Sequence, residues 1–198
     1  LLAWSVEHAL AATSIDRVLV STDDEELAAI ARAAGAEVLV RPAELAADDT
    51  PDLPVLHHAL ASLDAEPDIV AWLRPTSPLR LPEDVDGAVA LLESTGARCV
   101  RSLCEVEHHP AWDYTLGPGG ELVPLDPVAD ATILSRQLLP KVYRPNGAVE
   151  VIRGDALPSE GTLFGPPALG YVMPQERSID IDGELDLAYA ELLLRRRA

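Results

Sequence analysis

Residues 16–40 read DRVLVSTDDEELAAIARAAGAEVLV, and their pattern predicts a strand, a helix and a second strand in that order. The first apolar run is typical of a buried strand, and it leads into a polar turn. Asp23 and Asp24 can cap the helix that follows, and Gly35 is suited to end it. A strand, a crossover helix and another strand predict a parallel pair within an α/β fold.

The same alternation continues on both sides of this stretch. It predicts one α/β domain over residues 1–198, with a mainly parallel, Rossmann-like sheet and flanking helices. Ligands bind such sheets beyond the carboxyl ends of the strands. The predicted helices cover 2–10, 25–34, 53–63, 82–94 and 184–197, and the predicted strands cover 16–22, 36–40, 68–73, 98–106, 147–153, 169–173 and 179–181.

Residues 107–144 interrupt the alternation. Within them the run Leu-Gly-Pro-Gly-Gly-Glu-Leu at 116–122 is typical of a hairpin turn between two short strands. A lone two-stranded ribbon is only marginally stable unless it packs on something else. We therefore predict that this segment is a lid or a dimerisation arm.

The charge of the chain excludes two classes of partner. The 33 acidic and 15 basic residues give a formal net charge of −18. Nucleic acids and anionic membrane surfaces would be repelled by such a field. An anionic small substrate stays compatible with the composition if a metal ion and a few local arginines offset the background charge.

The two cysteines indicate a reducing compartment. Cys99 and Cys104 are five residues apart in one predicted strand, so their side chains point to opposite faces and are not expected to pair. Unpaired cysteines are typical of cytoplasmic proteins. We therefore expect a cytoplasmic location.

A rigid polar loop follows the predicted strand over 68–73. The run Arg-Pro-Thr-Ser-Pro-Leu-Arg at 74–80 combines two prolines with two hydroxyls and two guanidiniums. Arginines at a ligand-binding edge can hold a carboxylate or a phosphate with two parallel hydrogen bonds. The alternative is a stiff turn that caps the next helix, with Arg80 in solvent. The candidate substrate-binding residues here are Arg74, Thr76, Ser77 and Arg80.

A pair of carboxylates stands in the run Ser-Ile-Asp-Ile-Asp at 178–182. On a strand, Asp180 and Asp182 would share one face, and neighbouring carboxylates repel each other unless a cation lies between them. Mg²⁺ held by one or two carboxylates and substrate phosphates is usual in nucleotide chemistry. Asp182 could alternatively cap the last predicted helix, which is compatible with metal binding at Asp180.

A third group of candidates lies where the chain returns to the predicted sheet. Arg136 precedes the return, and the run Tyr-Arg-Pro-Asn-Gly at 143–147 supplies Arg144 and Asn146. The two guanidiniums could bind an acidic ligand. Taken alone, they are equally typical of surface charges.

Together these motifs resemble the acylneuraminate cytidylyltransferases over essentially all 198 residues. The most specific are Arg-Pro-Ala-Glu-Leu and Ser-Ile-Asp-Ile-Asp, and the order of seven motifs makes coincidence improbable. The motifs are Val-Ser-Thr-Asp at 20–23, Arg-Pro-Ala-Glu-Leu at 41–45, Pro-Thr-Ser-Pro-Leu-Arg at 75–80, Glu-His-His-Pro at 107–110, Arg-Gln at 136–137, Arg-Pro-Asn-Gly at 144–147 and Ser-Ile-Asp-Ile-Asp at 178–182.

The resemblance implies a nucleotidyltransferase fold and a specific reaction. Members of that family transfer CMP from CTP to an acidic nine-carbon 2-keto sugar of the sialic, legionaminic or pseudaminic type, and release pyrophosphate. Asp180 and Asp182 match the family's metal-binding carboxylates, and Arg41 matches a loop that lies against the cytosine. Arg136 and Arg144 match arginines near the acidic sugar. Residues 107–144 match an arm that forms a homodimer.

The chain departs from the family pattern at three places. The strand and the phosphate-binding loop that open the family's sequences do not precede Leu1. Arg74 stands where the family has a Gln that touches the sugar, and Trp112 stands where relatives can carry a basic residue. Because the strand and the loop are missing, we expect the chain that begins at Leu1 to be poorly stable and nearly inactive, and to recover when an upstream strand and loop are restored.

Two other functions fit parts of the pattern. One is a sugar-1-phosphate nucleotidylyltransferase on the same fold, which would not need Arg136 and Arg144 for a sugar carboxylate. The other is a non-catalytic dimeric remnant or binding module. An in-frame phosphate-binding loop in the coding DNA upstream of Leu1 would favour an enzyme.

Overall fold

The computed structural model describes residues 1–125 and 136–197, and the alternation predicted from the sequence is present in it. The helices are α1 Leu2–Ala11, α2 Glu25–Ala33, α3 Asp52–Ala61, α4 Pro82–Glu93 and α5 Glu184–Arg197. The strands are β1 Leu19–Thr22, β2 Glu37–Val40, β3 Ile69–Trp72, β4 Cys99–Glu105, β5 Tyr114–Leu116, β6 Leu122–Pro124, β7 Tyr143–Arg153 and β8 Ala168–Val172.

The strands form one four-stranded sheet and two smaller ones. β1 pairs with β2 in parallel, as the crossover pattern predicts, and the larger sheet has the order β3-β7-β4-β8. β7 runs antiparallel to both of its neighbours, whereas β4 and β8 are parallel. The α/β fold class is confirmed, with a larger sheet that is mixed. A chain that re-enters a sheet from the end at which it left must run antiparallel to the strand it left, and β7 re-enters beside β4 in this way.

The predicted strand over 179–181 is wrong. This segment is irregular, and it is tied to the loop after β3 by one backbone hydrogen bond, from Ile181 N to Thr76 O at 2.9 Å. After β8 the chain passes through a 3₁₀ helix at Gln175–Arg177 before it reaches this segment. The argument that Asp180 and Asp182 share a strand face therefore no longer holds.

Two apolar layers enclose the four-stranded sheet. One face packs against α4, and the other packs against α3 and the loop around Leu163. Each fully buried aliphatic side chain contributes about 1.5–3 kcal/mol to stability. Buried residues of the first layer include Val85, Val89, Leu92, Val100, Val149 and Val151, and those of the second are Leu53, Leu56, Cys99, Ile152 and Leu163.

The start of α4 is fixed by a buried ion pair. Asp84, only 1% exposed, accepts a hydrogen bond from Leu81 N at 2.9 Å. The same carboxylate accepts two hydrogen bonds from Arg177, at 2.9 Å from Nε and 2.7 Å from Nη2. This fork joins α4 to the turn that follows β8, and it holds the pKa of Arg177 above its usual value.

The predicted hairpin is present as β5 and β6. The two strands pair antiparallel through Thr115 and Val123, and Gly120 in the turn adopts a φ of +87°. Leu116 and Leu122 are 73% and 67% exposed, so the ribbon presents apolar side chains to solvent. Residues 126–135 of the predicted arm lie outside the described residues, and its role in dimerisation stays a prediction.

Cys99 and Cys104 form no disulfide bond with each other, as the sequence predicts, and both are buried. Within residues 1–125 and 136–197, no helix combines the length and apolar character that a membrane crossing requires.

Candidate active site

A bulge in β7 brings three segments together. Arg101 of β4 lies opposite Glu150, but Leu103 lies opposite Pro145, so β7 carries extra residues between these pairs. Gly147 occupies this bulge with a φ of +68°, a backbone conformation that favours glycine. A Cβ atom at this position would lie 3.3 Å from Arg74 Cδ and 3.5 Å from Asp180 Oδ2. The loop after β3, the bulge and the 178–182 segment therefore meet at Gly147.

Arg74 is held by two carboxylates, Asp52 of α3 and Glu150 of β7. Its Nη2 donates a hydrogen bond to Asp52 Oδ2 and lies 3.6 Å from Glu150 Oε2. Burial acts to lower the pKa of Arg74, but Asp52, Glu150 and Asp180 together raise it. Arg74 keeps 36% of its side chain exposed, so it is both anchored and accessible.

Glu150 is a buried charge at the centre of the sheet, with 1% of its surface exposed. Its Oε1 accepts two hydrogen bonds from Arg101, at 2.9 Å from Nε and 2.7 Å from Nη2. The ring of Phe164 lies over that guanidinium, with its centroid 4.2 Å from Arg101 Cζ. The other carboxylate oxygen of Glu150, Oε2, has no hydrogen-bond partner among the described residues. Glu150 is therefore fixed on one side and directs a second oxygen towards Arg74.

Asp180 carries an unsatisfied oxygen. Its Oδ1 is buried and has no hydrogen-bond partner in the part of the chain that the structure describes. A buried carboxylate oxygen without a donor or a cation is costly, so the position suits a bound cation. No group of three or more His, Cys, Asp or Glu side chains that could hold a metal occurs among residues 1–125 and 136–197. A hard cation at Asp180 would therefore not rely on a cluster of carboxylates, and phosphates or water could complete its ligands, as is usual for Mg²⁺.

Asp182 is exposed in the turn before α5. The backbone nitrogens of Asp182 and Gly183 donate to Asp186 Oδ2 at 3.1 and 2.9 Å. Asp186 thus satisfies backbone donors at the start of α5, the role considered for Asp182. Asp182 is two residues from Asp180 along the chain and stays a candidate metal ligand.

Three predicted substrate-binding residues are buried and hydrogen-bonded within the protein, so their role in substrate binding stays a prediction. Ser77 and Arg80 have no exposed surface, and Asn146 is 1% exposed. Ser77 Oγ donates to Asn146 O at 3.4 Å. Asn146 Nδ2 donates to Ser178 Oγ at 2.8 Å, and its Oδ1 accepts from Ser102 Oγ. Their hydrogen bonds join the loop after β3 to the bulge of β7 and to residue 178.

Arg80 stabilises the same loop from within. Its Nη1 donates to three carbonyl oxygens, those of Arg74 at 2.8 Å, Ser77 at 3.0 Å and Ala148 at 3.3 Å. Burial lowers the pKa of Arg80 to about 10, and the nearby charge of Asp84 acts in the opposite direction. The alternative interpretation as a stiff turn is therefore correct for this part of the loop, although Arg80 is inside the protein rather than in solvent.

The remaining predicted residues are Thr76, Arg41, Arg144 and Arg136. Thr76 is half-buried, and its carbonyl accepts from Ile181 N. Arg41 follows β2 and donates to Ser21 Oγ at 3.2 Å and to Ser21 O at 2.6 Å. Arg144 is exposed near the start of β7. The side chain of Arg136 lies outside the described residues.

Two residues of the site, Glu150 and Asp52, are not among those that the sequence motifs predict. Glu150 interrupts the apolar run Ala-Val-Glu-Val-Ile at 148–152, and a charge inside a buried strand is a signal in itself. Asp52 gives no such signal, because an acidic residue in the first turn of a helix is ordinary.

The chain belongs to the cytidylyltransferase family, whose sequence profile matches residues 1–153. The N-acylneuraminate cytidylyltransferase of Escherichia coli is 31% identical over 203 aligned residues, which cover 100% of this chain and 46% of that protein. The CMP-N,N'-diacetyllegionaminic acid synthase of Legionella pneumophila is 28% identical, with 98% of this chain and 84% of that protein covered. The chain thus spans about half of the first relative and most of the second.

The fold agrees with this assignment. A solved structure of CMP:2-keto-3-deoxy-manno-octonic acid synthetase in complex with CTP superimposes with a TM-score of 0.71 at 14% identity. The superposition covers 100% of this chain and 88% of that one. At this identity the likeness concerns the fold alone.

Proposed function

We propose that the protein transfers CMP from CTP to an acidic nine-carbon 2-keto sugar and releases pyrophosphate. Membership of the cytidylyltransferase family supports the nucleotide, and the names of the relatives from E. coli and L. pneumophila support the sugar class. The observation that carries the proposal is the meeting of Arg74 and Asp180 at Gly147, with one Asp180 oxygen left without a partner.

In this reaction the anomeric hydroxyl oxygen of the sugar bonds to the α-phosphorus of CTP. The bond from that phosphorus to the bridging oxygen breaks, pyrophosphate leaves, and the hydroxyl proton is lost. Negative charge builds up on the phosphate oxygens in the transition state, so fixed cationic groups accelerate the step. Because the net charge of the protein is −18, local cations are needed to offset its repulsion of the anionic substrates.

We propose Mg²⁺ as the cofactor, with Asp180 as a ligand and Asp182 as a second candidate. The unpartnered, buried Oδ1 of Asp180 suits a hard cation. When bound, Mg²⁺ supplies charge neutralisation at the triphosphate. Arg41 is proposed to contact the cytosine, and Thr76 the substrate. Arg136 and Arg144 are proposed to contact the sugar carboxylate.

Arg74 is proposed to select among acidic sugars. We expect Arg74→Gln to change the ratio of kcat/KM between two acidic sugars by about tenfold, because an amide cannot form the two-pronged, charged contact of a guanidinium. The KM for CTP should change by less than about twofold. Steady-state kinetics with sialic and legionaminic acids would measure both values, and Arg17→Gln, at an exposed ion pair with Glu37, is the matched control. A fall in CTP affinity with an unchanged sugar preference would instead place Arg74 at the triphosphate.

A homodimer through residues 107–144 is also proposed. The exposed apolar hairpin supports it, because Leu116 and Leu122 are 73% and 67% exposed. We expect light scattering at micromolar concentration to give twice the mass of one chain, and Leu116→Lys to give the mass of a monomer. Leu185→Lys, at an 86% exposed position on α5, is the control and should leave the dimer intact. A strictly monomeric parent protein would contradict this proposal.

We further propose a cytoplasmic location and no nucleic-acid or membrane partner. The unpaired, buried Cys99 and Cys104 support the former, and the net charge of −18 supports the latter.

The function is tested by pyrophosphate release from the full-length product of the gene that encodes these residues. Release should require CTP and an acidic nine-carbon sugar, and it should not occur with ATP, GTP or neutral sugar-1-phosphates. Release with a sugar-1-phosphate but with none of the acidic sugars would contradict the proposal.

A further inference from the structure

The Arg74 side chain lies near three carboxylates, two that its guanidinium approaches directly and one that it does not. On one side are Asp52 and Glu150, whose oxygens Oδ2 and Oε2 are the ones that Arg74 Nη2 approaches. On the other side is Asp180, whose Oδ2 is 3.5 Å from the Cβ position of Gly147. Arg74 Cδ and Nε are 3.3 and 3.7 Å from that same point. Arg74 is therefore within reach of both sides.

The two carboxylates on the first side are held in fixed positions. Asp52 belongs to the first turn of α3. Glu150 is buried in β7, and its Oε1 is held by the guanidinium of Arg101 beneath Phe164. Because Glu150 is anchored through Oε1, its buried Oε2 cannot turn to solvent. These two residues offer Arg74 a preformed negative site.

The second side is left without a guanidinium contact. Arg74 forms ion pairs with Asp52 and Glu150, and none with Asp180, within residues 1–125 and 136–197. Asp180 Oδ1 is buried without a hydrogen-bond partner over the same residues. An arginine side chain has several rotatable bonds, so a turn of its outer torsions could bring the guanidinium onto Asp180. In this structure the guanidinium is instead paired with Asp52 and Glu150.

We infer that Asp52 and Glu150 are positioning residues that hold Arg74 away from Asp180 and so keep the Asp180 carboxylate available to a divalent cation. This inference rests on the proposed metal site. A guanidinium paired with Asp180 would occupy the carboxylate and add a positive charge where the cation must bind. Cation binding would then require the arginine to be displaced.

The inference is tested by the binding of Mn²⁺ alone, measured by electron paramagnetic resonance without nucleotide or sugar. Asp52→Asn removes the carboxylate that Arg74 contacts most closely and leaves only the longer contact with Glu150, so Arg74 should turn to Asp180 more often. We expect Mn²⁺ affinity to fall by about tenfold, the effect of one competing hydrogen bond to a charged group. Asp180→Asn should abolish binding at this site. Glu37→Gln removes a carboxylate from the exposed Arg17 pair and should leave Mn²⁺ affinity unchanged.

The same Asp52→Asn substitution made in the Arg74→Gln variant separates two possible effects of Asp52 on Mn²⁺ binding, the positioning of Arg74 and the direct attraction of the cation by the Asp52 charge. In Arg74→Gln no guanidinium is free to move, so adding Asp52→Asn should change Mn²⁺ affinity by less than about threefold. If Asp52 acted only through its own charge, its removal would weaken Mn²⁺ binding at least as much in Arg74→Gln, where that charge is no longer neutralised.

Three results would overturn the inference: equal Mn²⁺ affinity in Asp52→Asn and the parent, an equal loss in both backgrounds, or no Mn²⁺ binding that depends on Asp180. CMP transfer by the parent protein, assayed in parallel, would show that the proposed function stands when the inference alone fails.

Discussion

Replacement of Asp180 by Asn is expected to lower turnover by at least about 100-fold, the scale observed when a charge-stabilising group is lost. An amide keeps the shape of the side chain but carries no negative charge for a cation. Folding should be little affected, because Asp180 Oδ1 makes no hydrogen bond within the described residues. The measurement is kcat at saturating CTP, sugar and Mg²⁺, with thermal unfolding as a check on the fold.

Asp64→Asn is the control for this variant, because Asp64 is exposed in the turn after α3. It removes the same charge and should change kcat by less than about twofold. A normal kcat for Asp180→Asn at saturating Mg²⁺ would contradict the proposal that Asp180 is a metal ligand.

The second large effect concerns stability. Arg177→Ala leaves the carboxylate of Asp84, which is 1% exposed, without its charged partner. Removing one partner of a buried ion pair costs about 3–5 kcal/mol because the other charge stays buried. Arg177 itself is 27% exposed, so the lower end of that range is expected, and urea unfolding would measure the loss.

Arg195→Ala is the matched comparison. Arg195 forms an ion pair with Glu191 on the surface of α5, with side chains 79% and 55% exposed. Exposed pairs contribute about 0–1 kcal/mol. Equal losses in the two variants would mean that the Arg177–Asp84 pair has no special role in joining α4 to the turn after β8.

The helices and most strands could be predicted because their apolar periodicity and end signals are local. Gly35, for example, follows the end of α2 and has a φ of +97°. The direction of β7 could not be read in the same way, because it depends on where a 37-residue connection between Glu105 and Tyr143 returns to the sheet. The segment over 179–181 has the alternation of a strand, but no neighbouring strand pairs with it in the described part of the chain.

The candidate site was only partly predictable for a related reason. The position of Ser77 and Arg80 in a polar loop after a buried strand, and of Asn146 in the Arg-Pro-Asn-Gly motif, predicts ligand contacts but carries no information on burial. Each is buried with internal hydrogen-bond partners, and partners from distant segments cannot be inferred from local sequence. The contact of Arg74 with Asp52 likewise joins the loop after β3 to the first turn of α3, and only the fold brings these two segments together.

The most direct test of the proposed CMP transfer is ³¹P NMR of the reaction product formed by the full-length protein from CTP and sialic, legionaminic or pseudaminic acid. We predict that one of these sugars gives a CMP-sugar, with a single phosphodiester resonance, together with an equal amount of pyrophosphate. A product with the two coupled resonances of a CDP-sugar, or CTP that stays intact with all three sugars, would contradict it.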